Sequence, residues 1–221
     1  GVEKKIEILK ELHFPHSVGL LYSAFTYYLG FRVNSGEYKL MGLAPYGIEE
    51  SEETKLFLEK IKSEVVDIKD DGSIFLNQKY FKYTYGLRMI KAKKFKELLG
   101  LDIRREGEDI LQAHCNMALA IQKITEEIVI KMVKETKSLT NSKNLCLAGG
   151  VALNCVANGK ILKEKIFENI WVQPAAGDAG GSLGAALALW HIDQGNNRIV
   201  NPKDDMKGSY LGSEFSQKQI E

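Results

Sequence analysis

Two glycine-edged corners and one lysine hold most of the chemistry that this chain's residues could perform. The first corner, Leu145-Cys146-Leu147-Ala148-Gly149-Gly150-Val151-Ala152-Leu153-Asn154, reads as a buried strand running into two glycines and then a helix. Residues without side chains let a ligand approach the backbone, and the opening N–H groups of a helix can meet anionic or polar oxygens. Asn154, one turn into that helix, can donate and accept toward the same spot. No G-K-[ST] follows and no G-x-G-x-x-G is present, so neither standard phosphate fingerprint applies. A tight strand-to-helix turn would use the same residues. The second corner is Gln173-Pro174-Ala175-Ala176-Gly177-Asp178-Ala179-Gly180-Gly181-Ser182-Leu183-Gly184. Asp178 falls where a helix N-cap is expected, and the surrounding glycines leave its carboxylate open to a ligand or a hard cation. Close helix packing plus a cap is the alternative. In a third stretch, Gly36 to Gly47, Lys39 could reach a phosphate as a point charge, or could be an ordinary surface lysine. There is no H-x-x-x-H or H-E-x-x-H pair, so the chain is not expected to close a metal site alone.

Periodicity supplies the elements that would hold these corners. Asn144 to Ala148 and Asn169 to Gln173 read as strands, Val151 to Lys165 and Ala179 to Asp193 as helices. Such alternation predicts an α/β layer with its sites at the strand ends, where both corners would face one cleft that a nucleotide could span. Ile110, His114, Met117, Ile121, Ile124, Ile128 and Met132 step three or four residues at a time, predicting a long helix with His114 as a hydrogen-bonded core residue. Ser17 is placed to cap a helix carrying Leu20, Leu21, Ala24, Phe25, Tyr28 and Leu29, which Gly30 ends. Gly1 to Leu12 is helix-compatible, with Ile6, Leu9 and Leu12 apolar. From Glu49 to about Gly107 the character changes. An acidic helical stretch runs to Asp70, Ser73–Leu76 and Tyr80–Tyr83 read as short strands, and a basic run holds Arg88, Lys91, Lys93, Lys94 and Lys96. Opposite-sign blocks of this kind predict the solvated faces of a surface insertion.

The whole-chain numbers exclude several classes. The 221 residues weigh 24.8 kDa and carry 30 Lys+Arg against 29 Asp+Glu, a formal charge of +1. At about 150 residues per domain this is one or two domains, large enough to bury a core of its own. A balance so near zero argues against a nucleic-acid domain held by a broad basic surface. The longest nearly uncharged apolar run, Val172 to His191, is dense in Gly and Ala with Asp178 inside it, a poor membrane span. With no signal-peptide pattern, a cytoplasmic location is expected. Cys115, Cys146 and Cys155 fit no C-x-x-C pair and are expected as buried free thiols.

Pro15 to Thr26 (PHSVGLLYSAFT), Tyr38 to Gly47 (YKLMGLAPYG), Ala148 to Asn154 (AGGVALN) and Gln173 to Gly181 (QPAAGDAGG) together, in this order and spacing, resemble the NodU/CmcH carbamoyltransferase family. The resemblance covers most of residues 14–192. It implies the second lobe of an actin-like, ribonuclease-H-like ATPase module, an α/β fold, formed by 1–48 and 107–204 with an α+β insertion at 49–106. Residues 205–221 would begin a linker to a YrdC-like domain. It further implies O-carbamoyl transfer from carbamoyl-adenylate, made from carbamoyl phosphate and ATP, to a small-molecule acceptor hydroxyl. Gly149, Gly150, Val151, Asn154, Gly177 and Lys39 would be the nucleotide-binding candidates. Asp178 would be one ligand of an Fe(II) ion whose two histidines lie upstream, and no residue here is implied as catalytic acid, base or nucleophile. The expectation is an excised piece, lacking its first lobe and its partner domain in cis, that holds no metal and is inactive alone. Two other readings stay open: a tRNA threonylcarbamoyl-transfer protein, which shares the GGV-x-x-N and G-D pattern, and a non-catalytic nucleotide-binding or interaction module.

Overall fold

The computed structural model describes residues 5–199, 201 and 204–221. In chain order the elements are α1 (Val18–Tyr28), α2 (Glu37–Leu43), α3 (Glu52–Lys60), β1 (Val66–Ile68), β2 (Ile74–Leu76), α4 (Ala92–Leu99), α5 (Gln112–Thr140), β3 (Asn144–Leu147), α6 (Cys155–Glu164), β4 (Asn169–Val172), α7 (Gly180–Ala188) and α8 (Gln217–Ile220). The architecture is mixed α/β. Its strands form two small sheets among the described residues, β1 with β2 and β3 with β4.

The chain divides into two compact units, each taken by itself. The larger comprises Lys10–Leu145 and Asn154–Ile170; the smaller comprises Gly1–Leu9, Cys146–Leu153 and Trp171–Glu221. In the larger unit the predicted long helix is α5, with His114, Met117, Ile121, Ile124 and Ile128 buried along it and Met132 half-buried. Ile110 lies just outside the helix and is exposed. Asn141, at positive φ (47°), ends α5 in the left-handed region, a position that Asn tolerates. The α1 helix begins as predicted, with Ser17 Oγ accepting from Leu20 N at 3.2 Å.

The 49–106 stretch packs onto α5 through α3 and onto α1 through one aromatic group. Phe95 of α4 is fully buried, 5.5 Å from Phe25 and 5.2 Å from Tyr28 of α1, with Tyr80 and Phe81 each at 6.1 Å. Edge-on and tilted pairs of this kind each add about 0.5–1.5 kcal/mol beyond area burial. Leu76 N also donates to His16 Nδ1 at 3.0 Å, and Tyr83 OH to Pro15 O at 2.9 Å. The residues before α1 therefore anchor β2 and the segment that follows it.

Several expectations are corrected here. Residues 5–12 form no helix and are exposed, and residues 1–4 of the expected opening helix lie outside the described residues. Ile6 and Leu9 stay mostly exposed, so little apolar burial is there to hold a helix, and an isolated helix this short is marginal. The acidic helical stretch stops at Val65, and Val66–Ile68 pairs antiparallel with β2 around a turn whose Gly72 has φ +81°. Tyr80–Tyr83 is reduced to a single bridge between Phe81 and Ile90. Only Cys115 of the three thiols is buried; Cys146 and Cys155 are exposed. No helix among the described residues is long and apolar enough to cross a membrane.

Candidate functional site

In the smaller unit the two glycine corners meet. After β3 the chain turns at Gly149, whose φ of +98° lies in the left-handed region that favours glycine. Gly149 N donates to Ala176 O at 2.7 Å, and Gln173 N donates to Leu147 O at 3.0 Å. In the larger unit Glu168 N and Asn169 N both donate to Lys143 O. Donor and acceptor advance together, so β3 and β4 run parallel, joined through α6. A Cβ added at Gly149 or Gly150 would meet nothing within 4 Å, and one at Gly177 would meet only Leu153 Cδ1, at 3.9 Å. The backbone at 149–150 is open, and 173–177 lies beside it. Val151 is half-buried in the short 3-10 turn Gly150–Leu153.

The second corner differs from its predicted capping. Its helix starts at Gly180 with Ala179 as N-cap, and no side chain caps it. The turn before it is closed by the backbone instead: Gly180 N donates to Gly177 O and Gly181 N to Asp178 O, each at 3.1 Å. The Asp178 carboxylate is exposed and makes no side-chain hydrogen bond or ion pair among the described residues. Gly180 itself is steric, since a Cβ there would lie 2.2 Å from Ala175 O, whereas one at Gly181 or Gly184 meets nothing within 4 Å. No group of three or more His, Cys, Asp and Glu converges among the described residues. One carboxylate is not an iron site, so these residues alone do not make up the metal centre that the resemblance implies.

Asn154 lies in the larger unit and is the N-cap of α6, not a residue one turn inside it. The helix begins at Cys155 because the 3-10 turn has taken up the residues before it. The Asn154 side chain is 8% exposed and committed on both ends. Its oxygen accepts from Ala157 N at 3.0 Å and from Gln122 Nε2 at 3.1 Å, and its amide donates to Gln122 Oε1 at 3.0 Å. The network continues: Tyr22 OH donates to Gln122 Oε1 at 2.9 Å, Gln122 Nε2 donates to Glu126 Oε1 at 2.8 Å, and Lys160 pairs with Glu126. Burial, followed by the charges of Glu126 and Glu37, pushes the Tyr22 hydroxyl well above the ordinary phenol range, so it stays a donor. Gln122 and Glu126 carried no signal in the chain beyond their i, i+4 spacing on α5.

The third stretch is a seven-residue helix followed by a 3-10 turn at Ala44–Tyr46. Gly47 sets how closely this turn meets α5, since a Cβ would stand 2.6 Å from Leu119 Cβ and 2.7 Å from Cys115 O. Gln112 and Asn116 fasten it by bonds to Tyr46 O and from Ile48 N, each 2.9 Å. Glu37 is consumed locally, accepting from Ser23 Oγ, Asn34 N and Gly36 N. Lys39 is exposed on the outer side of α2 and lines a cavity together with Arg32 and Arg104, two cations that sequence reading did not single out.

Residues 2–187 match the carbamoyltransferase N-terminus family. An uncharacterized protein of Synechocystis sp. is 53% identical over 96% of this chain. The nodulation protein NolNO of Sinorhizobium fredii is 37% identical over 80% of it, and the nodulation protein NolO of Bradyrhizobium diazoefficiens 36% identical over 82%. The chain spans 33%, 23% and 30% of the length of these three relatives. With matches of this extent behind the paired glycine corners, the chain belongs to the carbamoyltransferase family, residues 2–187 matching its N-terminus.

Proposed function

We propose that this protein serves O-carbamoyl transfer, in which the hydroxyl of a small-molecule acceptor takes the carbamoyl group from carbamoyl-adenylate with release of AMP and a proton, the adenylate having formed from carbamoyl phosphate and ATP with release of phosphate and pyrophosphate. The chain is read as one lobe of an actin-like, ribonuclease-H-like module that acts with a first lobe and a YrdC-like domain in the same polypeptide. The observation that carries the reading is the Gly149 N to Ala176 O bond, which sets two side-chain-free corners side by side in one unit. Backbone N–H groups at Gly150 and Val151, with the Gly149 turn holding them in place and Gly177 opposite, would hold the adenylate phosphate and its carbonyl without a side chain in the way. They would stabilise charge that grows on oxygen as the carbamoyl carbon is attacked. Asn154 acts one step back, fixing where the 3-10 turn hands over to α6. Asp178 would lend a carboxylate oxygen to an Fe(II) ion, which supplies Lewis-acid polarisation when bound. With this one carboxylate, the 221-residue chain alone holds no iron tightly and does not turn over. Near-stoichiometric iron in the purified chain would overturn that part.

Equilibrium titration with ATP and with a non-hydrolysable carbamoyl-adenylate analogue tests the site. Gly150→Val is the informative variant because that position has an ordinary φ and open space around it, so the fold tolerates a side chain. Saturable binding weakened at least tenfold by Gly150→Val is expected. No binding, or binding indifferent to Gly150→Val, would remove the nucleotide reading and leave an interaction module.

A further inference from the structure

At the C-terminal end of α1 the larger unit contains a cavity of about 230 Å3 lined by Gly30, Phe31, Arg32, Ser35, Gly36, Lys39, Arg104 and Glu106. Three of these residues are cations and one is a carboxylate. Arg104 is only 9% exposed. Its Nη1 donates to Leu29 O at 2.8 Å, and its Nε and Nη2 donate to Glu108 O at 3.0 and 2.6 Å. A guanidinium has five N–H groups, so these bonds leave one on each terminal nitrogen. The guanidinium carbon also sits 5.5 Å from the centre of the Phe31 ring, which forms part of the wall. Among the described residues neither Arg104, Arg32 nor Lys39 forms an ion pair, and Arg32 and Lys39 have no hydrogen-bond partner for their side chains. Glu106, exposed at the rim, is not within ion-pair distance of any of them. Two further carboxylates are nearby and already taken up, Glu37 by Ser23 Oγ and two backbone amides and Glu108 by Arg105 N.

A buried guanidinium facing a cavity without a carboxylate partner, beside two cations that form no ion pair, is a charge arrangement that an anion completes. The walls bring no aliphatic side chain, so an apolar ligand has little to gain there. The volume falls below the ~300–1,000 Å3 of sites that enclose drug-sized molecules. We infer that the Arg32–Lys39–Arg104 cavity is a binding site for a compact phosphate group, distinct from the glycine corners, with Lys39 serving this cavity. Arg104, held by three backbone-directed bonds, fixes one side of the anion, while Arg32 and Lys39 close on it from the rim.

The test is calorimetric titration of the chain with inorganic phosphate at low ionic strength, with ATP in a second arm. Arg32→Ala/Lys39→Ala is the variant of choice because both side chains are exposed and make no hydrogen bond or ion pair, Lys39 touching only the exposed Tyr38 ring, so the fold does not depend on them; circular dichroism checks this. Phosphate is expected to bind the native chain, at least tenfold more weakly in the variant, and less tightly as sodium chloride is raised. ATP binding that falls with the same variant would mark a nucleotide phosphate as the source, whereas phosphate alone would mark a free or sugar-borne one. No phosphate binding, or equal binding by native chain and variant, overturns the inference. If Gly150→Val abolishes phosphate binding while Arg32→Ala/Lys39→Ala spares it, the anion sits on the glycine corner and this site is refuted while the proposed function stands.

Discussion

Replacing Gly184 and Gly181 of α7 by alanine separates a glycine needed for folding from one needed for bare backbone. A methyl group at either position meets nothing within 4 Å, and neither residue has positive φ. For folding alone the change must therefore help. Gly184 lies inside α7, where Gly→Ala is worth about 0.8–1 kcal/mol. Gly181 lies in the first turn, where the gain comes mainly from restricting the unfolded chain, roughly 0.5 kcal/mol. Together they add roughly 1.5 kcal/mol, which in a chain of this size raises Tm by about 3–6 °C. Gly180→Ala is the opposite case, because its Cβ would fall 2.2 Å from Ala175 O and the 175–180 turn must open, a loss of about 2 kcal/mol or more. Thermal melts of the three proteins without ligand read both signs. A Gly181→Ala/Gly184→Ala protein that melts lower than the native chain would show that α7 is not the open helix described, and the reasoning about the corner would fall with it.

Asn154→Ala removes the α6 cap and two of the four hydrogen bonds of the buried Gln122 amide, an expected loss of about 2–3 kcal/mol in urea unfolding. Gln122→Ala combined with it should cost less than the sum of the two, which a double-mutant cycle measures. Gly72→Ala should be more damaging, about 3 kcal/mol or more, because its φ is +81° and a Cβ would lie 2.4 Å from Met132 N of α5; its urea midpoint checks this. His114 gives a pH dependence. Burial, then the Arg104 charge, lowers its pKa below the ordinary 6.5, while Glu108 and Glu53 pull weakly the other way. Above that value both states are neutral and nothing changes. As pH falls below it the unfolded chain takes the proton first, so stability declines until the folded His114 also protonates. The urea midpoint should drop between pH 7.5 and 5.5, and drop less in His114→Gln.

The elements legible in the chain are those whose signal is local. Ser17 before an apolar run, the three-to-four-residue steps from His114 to Ile128, and the two apolar runs ending in glycines each carry their own mechanism, and α1, α5, β3 and β4 follow them. The misses arise where the outcome depends on a distant partner. The Ile6, Leu9 and Leu12 spacing asks for a surface that buries all three, and all three stay exposed. Val66–Ile68 leaves the helix because Ile74–Leu76 offers it backbone bonds. Asn154 looks like a ligand-facing amide until Gln122, 32 residues away, occupies it. Arg104 sits in a run of charges, Arg104-Arg105-Glu106-Gly107-Glu108, and nothing in that run says that one of its arginines is buried against Leu29 and Glu108 carbonyls.

Glycine shows most clearly why the candidate site was only half readable. Gly47, Gly72 and Gly180 are small because backbone or a neighbouring side chain stands within 3 Å of where a Cβ would go. Gly150, Gly181 and Gly184 have open space and ordinary φ, so neither packing nor backbone strain accounts for them. In one dimension the two groups look alike, and Gly180 and Gly181 are adjacent. Only the positions of Ala175 O, Leu119 and Met132 divide them. What the division leaves is a run of bare backbone at 149–150 and 181 that folding does not require to be free of side chains beyond the turn at Gly149. Such a surface has a reason to persist when something other than the chain's own atoms is to lie against it.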